Sequence, residues 1–328
     1  MALGGDIQDL QAIRVPLGCL FTPMNIPALS RRQFIALTGT ALPAMLVAHG
    51  ASSPAPSTEP AASTATGKTH PVGLELYSVR EELGGGKDQL NAATLAAVAK
   101  MGYKLVEFWA PYYESWTIPQ AKEGRKLLDD LGLRCQSMHN SSDYFTDAKL
   151  SKAIEIHQIM GAKYMVMSTA NGGKTVEGWK RVAGTLAGAA EKLKPHGLYT
   201  GFHNHDAEWV ALQDDATVRA MDVLAANTPK EVMLQFDVGT CVLAGADPVA
   251  WIKANPGRIN TLHLKEWGKA DGFNSIFGEG DAPWKEIFAA AESVGGVEYY
   301  LIEQEQAPRG QSLATVEKCL ANYKKMRG

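Results

Sequence analysis

The sequence has few cysteines and no excess of positive charge. Its four cysteines lie far apart without a CxxC pair, so their spacing implies no disulfide framework. They are Cys19, Cys135, Cys241 and Cys319. Lysine and arginine together number 32 against 35 acidic residues, which gives a formal net charge of -3. Because nucleic-acid backbones are usually bound by a clustered basic surface, we expect no nucleic-acid partner.

The sequence also lacks an apolar run long enough for a transmembrane helix at its amino-terminal end. The run 34–47 has about the length of the hydrophobic region of a secretory signal and is too short to cross a bilayer. It overlaps Ser30-Arg31-Arg32-Gln33-Phe34-Ile35, which resembles the twin-arginine export signal, although Ala36 stands where a lysine is usual. The alternative is an amphipathic helix with two chance arginines.

An Ala/Ser/Pro/Thr-rich segment follows the apolar run and is typical of a cleavage region and linker. We therefore expect residues 1–50 to form a twin-arginine signal region and residues 51–70 a linker. Such a protein folds before it passes through the twin-arginine export machinery. The expected location is the periplasm, after cleavage of the signal and with no stable membrane anchor.

From Val72 onward, short β-branched or aromatic runs alternate with longer segments of helical periodicity. This alternation predicts eight βα units around a parallel sheet. The predicted strands cover residues 73–78, 105–109, 134–139, 164–168, 199–204, 232–237, 260–265 and 299–303. The predicted helices cover residues 91–101, 119–131, 150–160, 176–194, 215–226, 248–255, 284–294 and 313–326.

Glycines mark the ends of four predicted helices. Gly102, Gly132, Gly161 and Gly197 each follow a helical run, where a left-handed C-cap is favoured, and each precedes a strand. No GxGxxG follows the first predicted strand, which disfavours the main alternative, a doubly wound dinucleotide-binding sheet. Residues 71–328 are therefore predicted to form an α/β fold, a (β/α)8 TIM barrel, whose usual size is about 250 residues.

Ionisable and aromatic side chains gather at the ends of the predicted strands, where a TIM barrel has its active site. They are Glu107, Trp109, His139, His203, His205, Asp237, His263, Lys265 and Glu303. Glu208 and Glu266 lie further along the chain, and a solvated surface role explains them at least as well as a functional one.

Four of these side chains come from four consecutive strands and predict a metal site. His203, Asp237, His263 and Glu303 would converge at the mouth of a barrel, and that joint pattern carries the prediction. A single histidine at a strand end is more often a structural residue. Two imidazoles with two carboxylates suit Mn²⁺, Co²⁺ or Zn²⁺ better than Ca²⁺ or Mg²⁺, which prefer oxygen ligands.

Four motifs in order give the chain a likeness to a known family. They are His203-Asn204-His205-Asp206, Phe236-Asp237-Val238-Gly239, His263-Leu264-Lys265 and Ile302-Glu303-Gln304-Glu305. Over residues 72–328 the chain resembles the sugar phosphate isomerase/epimerase family, which has the xylose isomerase-like TIM barrel. The resemblance implies a divalent metal held by Glu, Asp, His and Glu from successive strands, the last three being Asp237, His263 and Glu303 here.

The first ligand position departs from the family pattern, because His203 stands where the epimerases have a glutamate. The resemblance therefore disfavours epimerisation by two carboxylate bases. It favours a one-base isomerisation or an elimination, as in the dehydratase-like members with paired histidines. All of these reactions begin with removal of a proton next to a carbonyl, which a divalent metal assists by stabilising the enediolate.

The sequence also suggests which residues transfer protons and which contact the substrate. Glu303 is the leading general base, His205 or His139 the acid that protonates the leaving oxygen, and Lys265 the cation that neutralises the oxyanion. The predicted substrate contacts are Glu107, Trp109, Trp209 and Trp267. The expected substrate is an unphosphorylated keto-sugar or 3-keto-glycoside, because sugar phosphates are mainly cytoplasmic. Oligomerisation stays open.

Two other functions fit parts of the pattern. An apurinic-site endonuclease-like metallohydrolase shares the barrel, but it needs a basic face and more metal ligands. A periplasmic sugar-binding protein without catalysis needs aromatic side chains and no metal. The acidic net charge and the export signal argue against the endonuclease. A low metal content, with no gain in activity on adding Mn²⁺ or Co²⁺, would favour the sugar-binding protein.

Overall fold

The structure, a computed structural model, describes residues 70–84 and 90–328. The twin-arginine motif, nearly all of the predicted linker and Cys19 lie outside the described residues. Among the residues that are described, no helix combines the length and the apolar character needed to cross a membrane.

Eight parallel strands close into a barrel in the order of the chain, with β8 pairing with β1. This confirms the predicted (β/α)8 TIM barrel. The strands are β1 Val72–Glu75, β2 Leu105–Phe108, β3 Arg134–Ser141, β4 Tyr164–Thr169, β5 Tyr199–His203, β6 Met233–Asp237, β7 Thr261–Lys265 and β8 Tyr299–Glu303.

Ten α-helices are found in the described part of the chain, and eight of them match the predicted helices. They are α1 Ala92–Met101, α2 Ala110–Tyr113, α3 Ile118–Asp130, α4 Asp147–Met160, α5 Val176–Leu193, α6 Ala220–Asn227, α7 Val238–Leu243, α8 Pro248–Ala254, α9 Trp284–Ala290 and α10 Ser312–Arg327. The two short helices α2 and α7 were not predicted, because each is a single turn or little more, placed directly after a strand. Helices of this length are too short to be recognised from sequence periodicity.

Two predicted boundaries are wrong because side chains bond to the local backbone instead. The first strand ends at Glu75, not at residue 78, since the Glu75 carboxylate accepts from the Tyr77 backbone N–H and starts a 3₁₀ turn. Helix α6 begins at Ala220 and not at residue 215. Asp215 there accepts from the backbone and hydroxyl of Thr217, which makes a turn.

Glycine ends several helices in the left-handed conformation, as predicted from the sequence. Gly102 and Gly161 cap α1 and α4 with φ of 106° and 75°. Gly132 and Gly197 have φ of 65° and 70°. A residue with a Cβ would be strained at these positions, so the glycines fix where each helix turns towards the next strand.

The interior of the barrel is closed by apolar side chains at the end where the strands begin. The first residues of the even-numbered strands, Leu105, Tyr164, Met233 and Tyr299, form one cluster with Val166 and Leu301. Such a layer, built from alternate strands, is the usual filling of a TIM barrel. Inward-facing polar side chains are therefore found at the carboxyl-terminal ends of the strands.

The buried histidine of helix α4 makes the stability of the fold sensitive to acid. His157 bonds through Nδ1 to the Ala153 carbonyl, 2.7 Å away, and burial lowers its pKa from 6.5 to about 4. Below pH 6.5 His157 becomes protonated in the unfolded chain, whereas in the folded chain it stays neutral until about pH 4. We expect this to lower the free energy of unfolding by about 2 kcal/mol between pH 7 and pH 5.

The measurement is urea unfolding at both pH values for wild type and His157→Phe, whose ring can keep the edge contact with Tyr113. The variant should lose about 2 kcal/mol less than wild type on acidification. His196→Phe, at an exposed histidine, is the matched control and should retain the wild-type difference. Equal pH dependence of wild type and His157→Phe would contradict the assignment.

Candidate active site

The two-residue period of the strands carries polar side chains into the upper half of the barrel. On β6, the inward face passes from Met233 to Gln235 to Asp237, and on β8 it passes from Tyr299 to Leu301 to Glu303. The apolar cluster occupies the first of these levels and, through Leu301, part of the second. The polar end of the barrel is therefore set by the same alternation that fills its base.

The four predicted ligands meet at this end. His203, Asp237, His263 and Glu303 are all buried, and one ligand atom from each lies within 4.8 Å of those of the others. They come from β5, β6, β7 and β8, which are neighbours in the closed sheet. The structure thus brings together the residues that the sequence proposes, at a spacing that a single cation could bridge.

Asp237 is held in place from outside the cluster. Its Oδ1 accepts from the backbone N–H and the hydroxyl of Thr240 at 2.9 and 3.0 Å, as the N-cap of α7. Its own backbone N–H donates to Asn204 at 3.0 Å. Oδ2 is left to point at the cluster.

His263 lies between two carboxylates from different sides of the barrel. Its Nδ1 is 2.6 Å from Glu303 Oε2, and its Nε2 is 2.7 Å from Glu107 Oε2. Burial alone would lower the pKa of His263, but the two carboxylates raise it to about 9. Coordination of a metal through either nitrogen would release a proton from this ring.

Lys265 brings a second buried cation into the site. Its Nζ lies 2.9 Å from Asp237 Oδ2, from Glu303 Oε1 and from Glu305 Oε2. Burial disfavours the ammonium, yet these carboxylates keep the pKa of Lys265 above its usual range. A Cβ on Gly239 would come within 2.9 Å of the Lys265 side chain, so the glycine of the Asp-Val-Gly motif makes room for it.

The donor set fits a divalent cation. Four carboxylates, those of Glu107, Asp237, Glu303 and Glu305, surround two buried cations, Lys265 and the protonated His263, which gives this cluster of described residues an excess of negative charge. A buried excess of this kind is costly unless a cation balances it.

His203 supplies an unshared nitrogen to this set. Its Nδ1 is buried and has no hydrogen-bond partner in the described part of the chain. Burial, and then the neighbouring His139, His263, His205 and Lys265, lower the pKa of His203 well below its usual value. A neutral imidazole is the form that coordinates a metal.

His139 adds a third imidazole next to the cluster. Its ring centroid lies 4.5 Å from that of His203, and the His203 ring lies 4.6 Å from that of His263. Ligand atoms of the three histidines also lie within 4.8 Å of one another. The predicted acid His139 is thus placed beside the predicted metal ligands.

Gln235 fixes the proton of His139 and was missed in the sequence. Its amide nitrogen donates to Glu107 Oε1 at 2.8 Å and to Thr261 at 2.9 Å, so its Oε1 faces His139 Nε2 at 2.7 Å. Glu107 Oε2 lies 3.0 Å from the same nitrogen. Because both neighbours accept, Nε2 of His139 carries a proton and donates it towards them.

Glu107, which the sequence predicts as a substrate contact, is a hydrogen-bonding partner of the buried histidines His139 and His263. Its side chain is completely enclosed and bonded to His263, His139 and Gln235. Burial would raise the pKa of Glu107, but His139 and His263 hold it well below the usual range. The neighbouring Glu75 shows the opposite, since burial and the Glu107 charge raise its pKa well above the usual range.

Of the three tryptophans predicted to contact sugar, two are buried among other aromatic side chains. Trp209 is only 4% exposed and packs edge-on against Trp251 and Phe236. Trp109 is buried against Tyr112, with ring centroids 4.7 Å apart, and Trp267 is half-buried. Their roles as substrate contacts stay predictions.

The residues beyond the strand ends are more buried than expected. Glu266 accepts from the Gly278 backbone at 2.8 Å and from the Trp284 indole at 2.5 Å, so it is a structural residue of the loop after β7. Glu208 accepts from the His205 backbone N–H at 2.8 Å. The His205 ring contacts the His203 ring edge-on, with centroids 5.0 Å apart, which places this predicted acid beside the cluster.

Known proteins share this barrel. Inosose dehydratase of Lacticaseibacillus casei is 24% identical over 197 residues, which cover 50% of this chain and 64% of that protein. The chain therefore matches less than two thirds of that relative. Inosose dehydratase of Clostridium beijerinckii is 24% identical over 267 residues, covering 68% of this chain and 85% of that protein.

Solved structures agree on the fold. A sugar phosphate isomerase/epimerase from Parabacteroides distasonis superposes with a TM-score of 0.65 at 26% identity, covering 81% of this chain and 97% of that one. A D-psicose 3-epimerase superposes with a TM-score of 0.59 at 12% identity, covering 79% and 99%, and shows the fold alone. The family model of the xylose isomerase-like TIM barrel matches residues 95–321, more than half of the chain. The chain belongs to the xylose isomerase-like TIM barrel family.

Proposed function

We propose that this protein is a divalent-metal-dependent enzyme that removes a proton next to the carbonyl of an unphosphorylated keto-sugar or 3-keto-glycoside. The reaction is an isomerisation, epimerisation or elimination through an enediolate. The observation that carries the proposal is the convergence of His203, Asp237, His263 and Glu303 within 4.8 Å. The names of its relatives, sugar epimerases and inosose dehydratases, support this class of chemistry.

The four side chains would hold Mn²⁺, Co²⁺ or Zn²⁺. Bound there, such an ion would act as a Lewis acid that stabilises negative charge on the carbonyl and adjacent hydroxyl oxygens of the sugar. The protein's part is to keep the ligands in place, and Thr240, Glu107 and Lys265 hold Asp237, His263 and Glu303 respectively through hydrogen bonds and an ion pair.

Glu303 is the proposed base. Burial would raise the pKa of its carboxyl, but Lys265 and His263 lower it well below the usual range, so the carboxylate is ionised at neutral pH. An ionised carboxylate is the form that accepts a proton. A base this weak requires a strongly acidified C–H bond, so the proposal needs the base and the cation site together.

The second proton transfer falls to a histidine in this scheme. In an elimination, the electrons of the broken C–H bond form the new double bond, and the leaving oxygen departs with its bonding pair and takes a proton. His205, half-buried at the rim, and His139, beside the cluster, are the proposed donors. In an isomerisation the same group would return a proton to the neighbouring atom. Lys265 would share the charge of the oxyanion.

The charge of the site supports an unphosphorylated substrate. Lys265 is already shared by three carboxylates, and the cluster has more carboxylates than cations. Because these carboxylates would also neutralise the bound divalent ion, the cluster would offer a phosphate dianion no unpaired positive charge. The twin-arginine motif points the same way, and we propose that the exported, signal-cleaved protein meets its sugar in the periplasm.

Hydrogen exchange tests the function. The metal-loaded protein is incubated in D₂O with a panel of 3-keto-glycosides and free ketoses, and deuterium uptake next to the carbonyl is followed by NMR. We expect uptake with at least one of them, its loss after EDTA treatment, and its return with Mn²⁺, Co²⁺ or Zn²⁺. Binding of sugars with no metal-dependent exchange would favour a periplasmic sugar-binding protein instead, and exchange confined to sugar phosphates would refute the substrate class.

A further inference from the structure

A cleft of about 490 Å³ opens beyond the carboxyl-terminal ends of β4 and β5. It lies between the loop after β4, residues 170–174, and the loop after β5, residues 207–213. Its polar lining residues are Asn171, Lys174, Glu208 and Gln213. Val210 adds an apolar surface and is 61% exposed.

Both loops are fixed, so the cleft exists before anything binds. The Gln213 backbone N–H donates to the Lys174 carbonyl at 2.9 Å, which ties the two loops together. A Cβ on Gly178 of helix α5 would lie 1.7 Å from the Gly172 carbonyl oxygen, which shows how tightly the first loop packs on that helix. Trp179 donates its indole N–H to the Gly173 carbonyl at 3.0 Å. Sites for small molecules are usually preformed in this way.

Glu208 connects the cleft with the catalytic cluster. It lines the cleft, and its Oε2 accepts from the backbone N–H of His205, whose ring contacts His203. Glu208 is 8% exposed, and within residues 70–84 and 90–328 its Oε1 accepts no hydrogen bond. A ligand that reached from the cluster to Glu208 would pass His205.

We propose that the cleft is a second sugar subsite, which binds the other ring of a keto-glycoside whose keto ring lies at the metal cluster. This inference rests on the proposed function and narrows its substrate class to molecules of at least two rings. The volume lies within the usual range of small-molecule sites, roughly 300–1,000 Å³. The lining offers one cation, one anion and neutral polar groups, which suits the hydroxyls of an uncharged ring, and Val210 suits its C–H face.

The position also gives His205 a defined task. The bond between the two rings would lie between the cluster and the cleft, next to the imidazole proposed to protonate the leaving oxygen. A free monosaccharide would leave the cleft empty and lose those contacts.

Calorimetric titration of the full chain tests the subsite. The probes are glucose and a panel of disaccharides, namely maltose, cellobiose, lactose, trehalose and sucrose. We expect at least one disaccharide to bind about tenfold more tightly than glucose, which is about 1.4 kcal/mol. Val210→Glu should abolish that ratio, and Val294→Glu, at an exposed valine outside the cleft, should leave it unchanged.

Each outcome decides the point. Equal binding of glucose and every disaccharide would overturn the subsite, as would a preference that survives Val210→Glu or is lost equally in Val294→Glu. Circular dichroism of both variants checks that they fold. If disaccharides are preferred as expected but no keto-sugar undergoes exchange, the subsite stands and the proposed catalytic function fails.

Discussion

Glu303→Gln lowers the rate of deuterium exchange by about 10³-fold, if Glu303 is the base and a ligand. Glutamine has nearly the same shape, but its amide cannot take up the proton and supplies no negative charge. The carboxylate contacts Lys265 and His263 at 2.9 and 2.6 Å, so the substitution also removes one of the carboxylates that balance each of these two buried cations. The measurement is the exchange rate at saturating substrate and metal, with the folded state checked by circular dichroism.

Glu305→Gln is the matched control for this variant. Glu305 contacts the same Lys265 Nζ at 2.9 Å, but its side chain is 28% exposed and it lies outside the ligand cluster. We expect the deuterium-exchange rate of Glu305→Gln to stay within about tenfold of wild type, because a partly exposed ion pair contributes little free energy. Equal losses in the two variants would show that the effect arises from Lys265 and not from Glu303.

Asp237→Asn weakens Mn²⁺ binding by more than about 100-fold, since it removes a first ligand and its charge. Loss of residues that merely orient ligands already costs about 10 to 100-fold. The asparagine Oδ1 can still accept from the Thr240 backbone N–H, so the α7 cap and the fold are retained. Calorimetric titration of the metal-free protein with Mn²⁺ gives the affinity directly.

Asp247→Asn controls for the loss of an acidic N-cap. Asp247 caps α8 through bonds to the Val249 and Ala250 backbone N–H groups at 2.9 and 3.0 Å, and it is not in the ligand cluster. It should bind Mn²⁺ as wild type does. Unchanged affinity in Asp237→Asn would remove this residue from the metal site.

The sequence was informative wherever a signal is local. Strand alternation, helical periodicity and glycine caps such as Gly102 and Gly161 depend on neighbouring residues, so eight strands and the long helices followed from them. Strand order in a closed barrel equals chain order, and His203, Asp237, His263 and Glu303 could therefore be placed side by side before any coordinates. The ends of parallel strands all meet at one face.

What the sequence did not reveal depends on contacts across the barrel. Glu107 reaches His263 over 156 residues and Gln235 over 128, and neither pairing has a local pattern. Gln235 itself is an ordinary polar residue in the middle of a strand, and its role follows only from the orientation of its amide. The contact of Trp209 with Trp251 is likewise a long-range packing contact that has no local sequence pattern.

Anomalous X-ray diffraction from crystals grown with Mn²⁺ tests the central claim most directly. We expect one strong anomalous peak among His203, Asp237, His263 and Glu303, with all four side chains at coordination distance, roughly 2.0–2.3 Å. A fully active protein whose Mn²⁺ lies elsewhere, or whose crystals bind none at this position, would contradict it.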